Sequence, residues 1–115
     1  MQRRSRLSRS RDFDAVYRHG RSVSTRFLVL YSFPRDDGDP QTRLGLAVPK
    51  AIGGAVERNR VKRRLRAAWS GLVDEIEGGR DYVLVARPGL AEAVASHDLE
   101  WLKERVLEVS RKAVA

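Results

Sequence analysis

The sequence predicts an α/β (α+β) two-layer sandwich, with one mixed sheet of about four strands and three or so helices. Its 115 residues and 13.0 kDa suit a single domain, which we place over residues 1–115. Hydrophobic residues make up 42% of the chain and charged residues 33%, which is a globular rather than a disordered composition. The local patterns run in the order helix, two or three strands, helix, strand, helix.

The first predicted element is a short helix near the start of the chain. Ser10 can cap it, and Gly20 supplies its end. Phe13, Val16 and Tyr17 follow the spacing i, i+3, i+4, so they share one face of this helix.

Two strands are expected next. Residues 26–33 alternate between two faces that are both mostly apolar, which is typical of a central strand. Parity places four side chains together on one of these faces, namely Phe27, Val29, Tyr31 and Phe33. Pro34 ends the strand, residues 36–40 form a turn, and residues 44–49 form a second strand with one face of small residues.

A long helix, a strand and a C-terminal helix complete the fold. Gly53 and Gly54 precede the long helix, which we place at about residues 56–77. Its expected buried stripe consists of Val61, Leu65, Ala68, Trp69, Leu72, Val73 and Ile76. Residues 82–86 form a buried strand, and residues 97–113 form an amphipathic helix after a helical turn at 90–95.

Positive charge is concentrated in two segments of a chain whose formal net charge is +8. Residues 1–26 hold eight basic and two acidic residues, and residues 50–66 hold seven and one. The rest of the chain is net negative. We interpret residues 1–9 as a basic N-terminal arm. Two such concentrated segments are typical of a surface that binds a polyanion.

The second basic segment lies on the predicted long helix. At 100° per residue, Arg60, Arg63 and Arg64 lie opposite the buried stripe. The alternative is an ordinary solvated face, which predicts mixed charges, whereas Glu57 is the one acid in residues 50–66. Because like charges four residues apart repel, this pattern favours a surface that an anion neutralises.

Aromatic residues form the second candidate surface. The first helix and the first strand each carry aromatic side chains, and together they could flank one groove beside the basic segment 1–26. Each could instead belong to the core. Aromatic rings beside cations suit single-stranded nucleic acid, because stacking contributes roughly 1–3 kcal/mol per base. The candidate residues are Phe13, Tyr17, Phe27, Val29, Tyr31 and Phe33.

Several classes of function are not supported by the composition. The chain has no cysteine, which excludes disulfides, thiolate zinc sites, iron–sulfur clusters and cysteine nucleophiles. His19 and His97 are isolated, so we expect no catalytic side chain and no protein-bound metal. No apolar stretch approaches the roughly 18 residues of a membrane span, and no targeting signal is evident. We therefore expect a cytoplasmic protein with no membrane partner.

Two stretches carry a resemblance to a known family. The first stretch closely resembles the signature of the bacterial ribonuclease P protein subunit. It consists of Arg58-Asn59-Arg60 followed by Val-Lys-Arg-Arg-Leu-Arg, and it comes after residues 49–56, which also match. Residues 6–22 and then 28–31 match the start of that family in order and spacing. Ala51 and Gly54 depart from residues common in the family, and Tyr17 stands where phenylalanine is frequent.

The resemblance implies an auxiliary protein in a 1:1 ribonucleoprotein with a catalytic RNA. That complex removes the 5′ leader of precursor tRNA by Mg²⁺-dependent hydrolysis, with the chemistry carried by the RNA and its metal ions. It also implies a left-handed βαβ crossover, an exception to the usual right-handed rule. The residues implied to face the catalytic RNA are Lys50, Arg58, Asn59, Arg60, Lys62, Arg63, Arg64 and Arg66. Those implied to line the leader-binding cleft are Phe13, Tyr17, Val29 and Tyr31, to which strand parity adds Phe27.

Two other classes of function remain open from the sequence. A structural ribosome-associated RNA-binding protein would share the basic helix but would need no groove for a leader. A stand-alone nuclease would cleave RNA without an RNA partner, yet the sequence offers no acid–base pair for this reaction.

Overall fold

A computed structural model describes residue 6, residues 10–35, residue 38 and residues 40–114, and the fold is mixed α and β as expected. The helices are α1 (Ser10–His19), α2 (Ala55–Ser70), α3 (Leu90–Ser96) and α4 (Leu99–Val114). The strands are β1 (Arg21–Ser24), β2 (Leu28–Pro34), β3 (Arg43–Ala47) and β4 (Arg80–Ala86). Apart from Arg6, the basic arm at 1–9 lies outside the described residues.

The four strands form one mixed sheet in the order β1-β2-β4-β3. β2 is antiparallel to both β1 and β4, whereas β3 and β4 are parallel neighbours joined through α2. The expectation of a mixed sheet of about four strands is confirmed, and the central strand predicted at residues 26–33 is present as β2, at Leu28–Pro34. Two parallel strands can be joined only by a connection that crosses from one end of the sheet to the other. α2 is the helix of this connection, so the pairing of β3 with β4 fixes its position on the sheet.

The main core lies between one face of the sheet and helices α2, α3 and α4. Leu30, Leu84, Leu65 and Val106 are fully buried there. A smaller cluster lies on the opposite face, where Val16 of α1 packs on the sheet. Because α1 is the one described helix in this second cluster, it covers only part of that face of the sheet. The rest of the face beside α1 is less buried.

The long helix is shorter than the sequence predicts. α2 ends at Ser70 rather than near residue 77, because the hydrogen-bond ladder tightens there: Leu72 N–H donates to Trp69 O at 2.9 Å, three residues back. Val73, expected in the buried stripe, is therefore 47% exposed. Ile76 remains buried, although its backbone is extended rather than helical.

Gly20 ends α1 for a steric reason. Its N–H donates to Val16 O at 2.8 Å, and a Cβ at this position would stand 2.4 Å from Val16 O and 2.6 Å from Ser32 O. A side chain here would separate α1 from β2. The glycine thus fixes how closely the aromatic face of α1 approaches the sheet.

Candidate nucleic-acid interface

The cations of the second basic segment lie together along α2. Val61, Leu65, Ala68 and Trp69 are buried against the sheet, as the periodicity predicts for the first four turns. The opposite and flanking positions keep access to solvent. Lys50, Asn59 and Arg63 are exposed, and the partly exposed members are Arg58, Arg60, Lys62, Arg64 and Arg66. We call this set of eight residues the α2 surface.

Among the described residues, none of the cations in the α2 surface forms an ion pair with a carboxylate. Arg64 instead donates from Nη1 to the carbonyls of Val94 and His97, at 3.3 and 3.4 Å. Arg60, Arg63 and Arg64 border an open hollow of about 360 Å³. Unpaired guanidinium groups around a hollow suit phosphate oxygens.

Arg6 extends this positive region beyond the helix. Its backbone forms an isolated bridge with Leu44 of β3, which brings the N-terminal segment to the edge of the sheet. Burial, together with the neighbouring charge of Arg6, lowers the pKa of Arg66. Two cations from segments 60 residues apart in sequence thus repel one another, and a bound polyanion relieves that repulsion.

The aromatic residues of α1 and β2 meet on the opposite face of the sheet. Tyr17 is 41% exposed, and its ring meets Tyr31 edge to face, with centroids 4.8 Å apart and planes at 88°. Phe13 lies next to Tyr17, at 6.3 Å between centroids. Burial, and then the proximity of Tyr31, raises the pKa of Tyr17. Tyr17 therefore keeps its hydroxyl proton near pH 7 and presents ring surface rather than charge.

The surface of the sheet beside these rings is a strip of small and branched side chains. Val29 pairs with Val85 on β4, and Val85 pairs with Ala47 on β3. All three are only partly buried, and Val85 and Ala47 pack against the small cluster of Val16 and Val83. We call the groove formed by this strip, Phe13, Tyr17 and Tyr31 the α1 cleft. It brings together four of the five residues assigned to leader binding.

Phe27 is the exception, and the parity expectation for it is wrong. β2 begins only at Leu28, so the alternation does not extend back to residue 27. The Phe27 ring packs against the main core instead and meets Trp101 of α4 at 5.4 Å. It therefore lies on the other side of the sheet from Tyr31 and does not line the α1 cleft.

A charged network that sequence reasoning missed holds α1 in place. Asp81 on β4 is 4% exposed and accepts hydrogen bonds from Arg35 and Arg43. Arg43 also approaches Asp12 of α1 at 3.8 Å, and Arg35 donates to Gln41 O. The one signal in the sequence is an aspartate inside an otherwise apolar strand. Such a group is buried only when cations accompany it.

The described residues contain no group of three or more histidine and carboxylate side chains that could hold a metal ion. No helix within the same residues is long and apolar enough to cross a membrane. The described site presents cations on one side of the sheet and aromatic rings on the other.

Comparison with known proteins decides the family. The model of the family described as Ribonuclease P matches residues 1–113, almost the whole chain. The chain belongs to the ribonuclease P protein family. The Ribonuclease P protein component of Bacillus cereus strain AH187 is 35% identical over 113 residues, covering 98% of this chain and 94% of the relative. That of Bacillus anthracis strain CDC 684 is also 35% identical and is covered to 91%.

Solved structures of ribonuclease P proteins share the fold. The RNase P protein of Thermotoga maritima aligns with a TM-score of 0.83 and 28% identity, covering 93% of this chain and 96% of that one. The Staphylococcus aureus RNase P protein aligns with a TM-score of 0.80 and 27% identity, covering 95% and 94%. The resemblance found in the sequence is thus confirmed over the whole fold.

Membership assigns the chain a role as a protein subunit of ribonuclease P in tRNA 5′ maturation, and it implies a partnership with the ribonuclease P RNA. The alternative of a structural ribosome-associated protein is not favoured.

Proposed function

We propose that this subunit uses two surfaces at once. The α2 surface binds the ribonuclease P RNA in a 1:1 complex, and the α1 cleft binds the single-stranded 5′ leader of precursor tRNA. The catalytic RNA, with Mg²⁺ ions that it coordinates, performs the hydrolysis. The observation that carries this proposal is the arrangement itself. Cations with no carboxylate partner among the described residues lie on one helix, and partly exposed aromatic rings lie on the opposite face of the sheet.

The α2 surface supports the first half of the proposal. Its seven cations have no carboxylate partner among the described residues. Six of them lie on α2 between Arg58 and Arg66, a stretch of about 12 Å, and Lys50 lies just before the helix. Phosphates follow one another along an RNA strand, so a linear row of guanidinium groups can neutralise several of them. Each neutralised phosphate releases counterions, which is the main source of affinity for nucleic acid.

The α1 cleft supports the second half. Tyr17 and Tyr31 offer aromatic ring surface, and the strip of Val29, Val85 and Ala47 is apolar and uncharged. Unpaired bases stack on such rings without strict sequence preference. A double-stranded RNA helix cannot present its bases in this way, so the cleft favours a single strand.

Catalysis is assigned to the RNA on chemical grounds. The described residues gather no set of metal ligands, and the two histidines lie apart: His19 ends α1, whereas His97 follows α3. Mg²⁺ on the RNA would activate water and stabilise the leaving oxygen. The protein's part is to increase the affinity and the alignment of the substrate.

A cleavage assay tests the proposal directly. Purified protein is added to a ribonuclease P RNA and precursor tRNA at low Mg²⁺, and release of the 5′ leader is followed. We expect stimulation by the intact protein, loss of stimulation with Arg60→Glu, and retention with Arg111→Glu, which changes an exposed arginine at the far end of α4. Absence of any stimulation, or cleavage by the protein without the RNA, would overturn the proposal.

A further inference from the structure

A second cluster of aromatic and cationic side chains lies outside both proposed surfaces. It forms where the loop between β1 and β2 meets the start of α4, and it surrounds a hollow of about 460 Å³. Hollows of this size accommodate small organic groups. The lining residues that matter are Arg26, Phe27, His97, Trp101, Arg105 and Glu108.

The aromatic members form a stacked pair with a third ring packed edge on against it. His97 lies on Trp101 with ring centroids 4.2 Å apart and planes at 17°, and Phe27 meets Trp101 edge on. His97 is exposed, so one end of this stack is open to solvent. A bond of 2.8 Å between His97 Nδ1 and Ala93 O holds the imidazole in this orientation. An open aromatic stack is a platform on which a planar base can add another layer.

Two arginines accompany the stack. The Arg26 guanidinium lies 5.1 Å from the centroid of Phe27, and that of Arg105 lies 5.5 Å from the centroid of Trp101. Arg26 is exposed and has no ion pair among the described residues. Arg105 pairs with Glu104 at 3.5 Å, and its buried Nε has no hydrogen-bond partner. Both guanidinium groups border the hollow, and guanidinium groups suit the oxygens of a phosphate.

The loop that carries Arg26 and Phe27 is held in place. Thr25 and Leu28 are joined by a backbone hydrogen bond of 2.8 Å, and Arg87 N–H donates to Phe27 O at 2.9 Å. The side chains of Arg87 and Lys112 donate to the carbonyls of Thr25 and Ser24, at 2.6 and 2.9 Å. A site that is organised before binding loses less conformational entropy when its ligand arrives.

The hollow also adjoins the α2 surface. Arg64 of that surface donates to His97 O, so the row of cations on α2 leads directly to the aromatic stack. An RNA strand whose phosphates follow α2 would arrive at His97 and Trp101. The cluster therefore lies at the end of the proposed RNA path rather than at an unrelated point of the molecule.

We propose that this cluster binds an unpaired nucleotide of RNA. The base stacks on His97 beside Trp101, Arg26 and Arg105 bind the phosphate, and Glu108 accepts hydrogen bonds from amino groups on the base. The inference rests on the RNA-binding function proposed above, and it adds a site that neither the α2 surface nor the α1 cleft contains. The nucleotide comes from the ribonuclease P RNA or from precursor tRNA, and the experiment separates these sources.

The fluorescence of Trp101 gives a local readout. Trp69 is buried in the core, so Trp101→Phe identifies the part of the signal that comes from the cluster. The full chain is titrated in separate experiments with ribonuclease P RNA, with precursor tRNA and with single-stranded oligoadenylate. We expect saturable quenching of Trp101 by oligoadenylate and by at least one of the two natural RNAs.

Arg26→Gln and His97→Ala should each shift the midpoint of the quenching titration at least about fivefold, because a stacking or phosphate contact is lost. Arg111→Gln, the matched control, leaves the midpoint unchanged.

Three results would overturn the inference. The first is RNA binding without quenching of Trp101 fluorescence, and the second is equal midpoints for Arg26→Gln and Arg111→Gln. The third is the same quenching by polyglutamate, because it would show that the cluster recognises any polyanion by charge alone. Failure of the broader function is recognised separately. If the protein stimulates cleavage in a manner that depends on Arg60 while Trp101 does not respond, only the present inference fails.

Discussion

Arg43 on β3 binds the buried carboxylate of Asp81 on β4 through two hydrogen bonds, Nε to Oδ1 at 2.8 Å and Nη2 to Oδ2 at 2.6 Å. The same guanidinium approaches Asp12 at 3.8 Å, so this pair joins both parallel strands to the helix that forms one wall of the α1 cleft. The geometry of the cleft therefore depends on a charged pair that lies outside it.

Asp81→Asn should destabilise the fold by about 3 kcal/mol, because it leaves the guanidinium of Arg35, which is 7% exposed, without its buried carboxylate partner. Urea unfolding of the wild type and the variant measures this difference. Glu108→Gln, an exposed carboxylate on α4, serves as the control and should change stability by less than about 0.5 kcal/mol. Equal stability of Asp81→Asn and the wild type would show that the network does not hold the sheet and α1 together.

Tyr31→Leu should weaken binding of precursor tRNA by roughly 1–3 kcal/mol in the complex with ribonuclease P RNA, since a stacking surface is lost. The same variant should bind mature tRNA, which has no leader, as the wild type does. Comparing the two dissociation constants isolates the leader. Val73→Ala is the contrasting change, because Val73 is exposed and lies outside the proposed binding surfaces, and it should leave the leader-dependent difference unchanged. An equal loss for both tRNAs would contradict leader binding in the α1 cleft.

Arg60→Glu should reduce affinity for ribonuclease P RNA at least tenfold while leaving the fold intact. Arg60 is partly exposed on α2 and makes no ion pair among the described residues, so its replacement breaks no described salt bridge. The change places a negative charge among phosphates and like-charge repulsion follows. Gel-shift titration measures the affinity, and circular dichroism during heating checks the fold. Unfolding of the variant would show that Arg60 has a structural role.

Stability should fall in strongly alkaline solution because of Tyr82. Burial raises the pKa of Tyr82 to about 12, and its hydroxyl donates to Glu77 O at 2.9 Å. An unfolded tyrosine has a pKa of about 10, so between these values the folded state holds the proton and the unfolded state releases it. The resulting stability is fully present below pH of about 10 and is lost as pH rises to about 12, by roughly 2–3 kcal/mol.

Chemical denaturation across that pH interval tests this prediction, with Tyr82→Phe as the comparison. The phenylalanine variant lacks the titrating hydroxyl, so its stability should decline less steeply than that of the wild type between pH of about 10 and 12. Parallel curves for the two proteins would refute the assignment to Tyr82.

The α2 surface could be predicted from the sequence because a single helical period determines it. Once Val61 and Leu65 face the core, the 100° rotation per residue places Arg60 and Arg64 away from it, whatever the rest of the chain does. The same argument fails at Val73, because Leu72 N–H bonds three residues back and the helical period ends there. Periodicity is reliable only within a single continuous element.

The remaining parts of the site depend on contacts between distant segments. Phe27 precedes β2, so its direction is set by packing on Trp101 and not by strand parity. Asp81 and Arg43 are 38 residues apart, and only the parallel pairing of β3 with β4 makes them neighbours. The hollow beside His97 requires α3, α4 and the β1–β2 loop to converge. None of these relationships is local in sequence, so residue patterns alone do not predict them.

The salt dependence of binding tests the central claim most directly, which is that the α2 cations bind the phosphates of the ribonuclease P RNA. The dissociation constant of the full chain is measured at several salt concentrations, for the wild type and for Arg60→Gln. If about six phosphates are neutralised, log affinity should fall against log salt with a slope of about −4 to −5, and Arg60→Gln should reduce that slope by about one. A dissociation constant that does not change with salt, or a slope that Arg60→Gln leaves unaltered, would contradict the account.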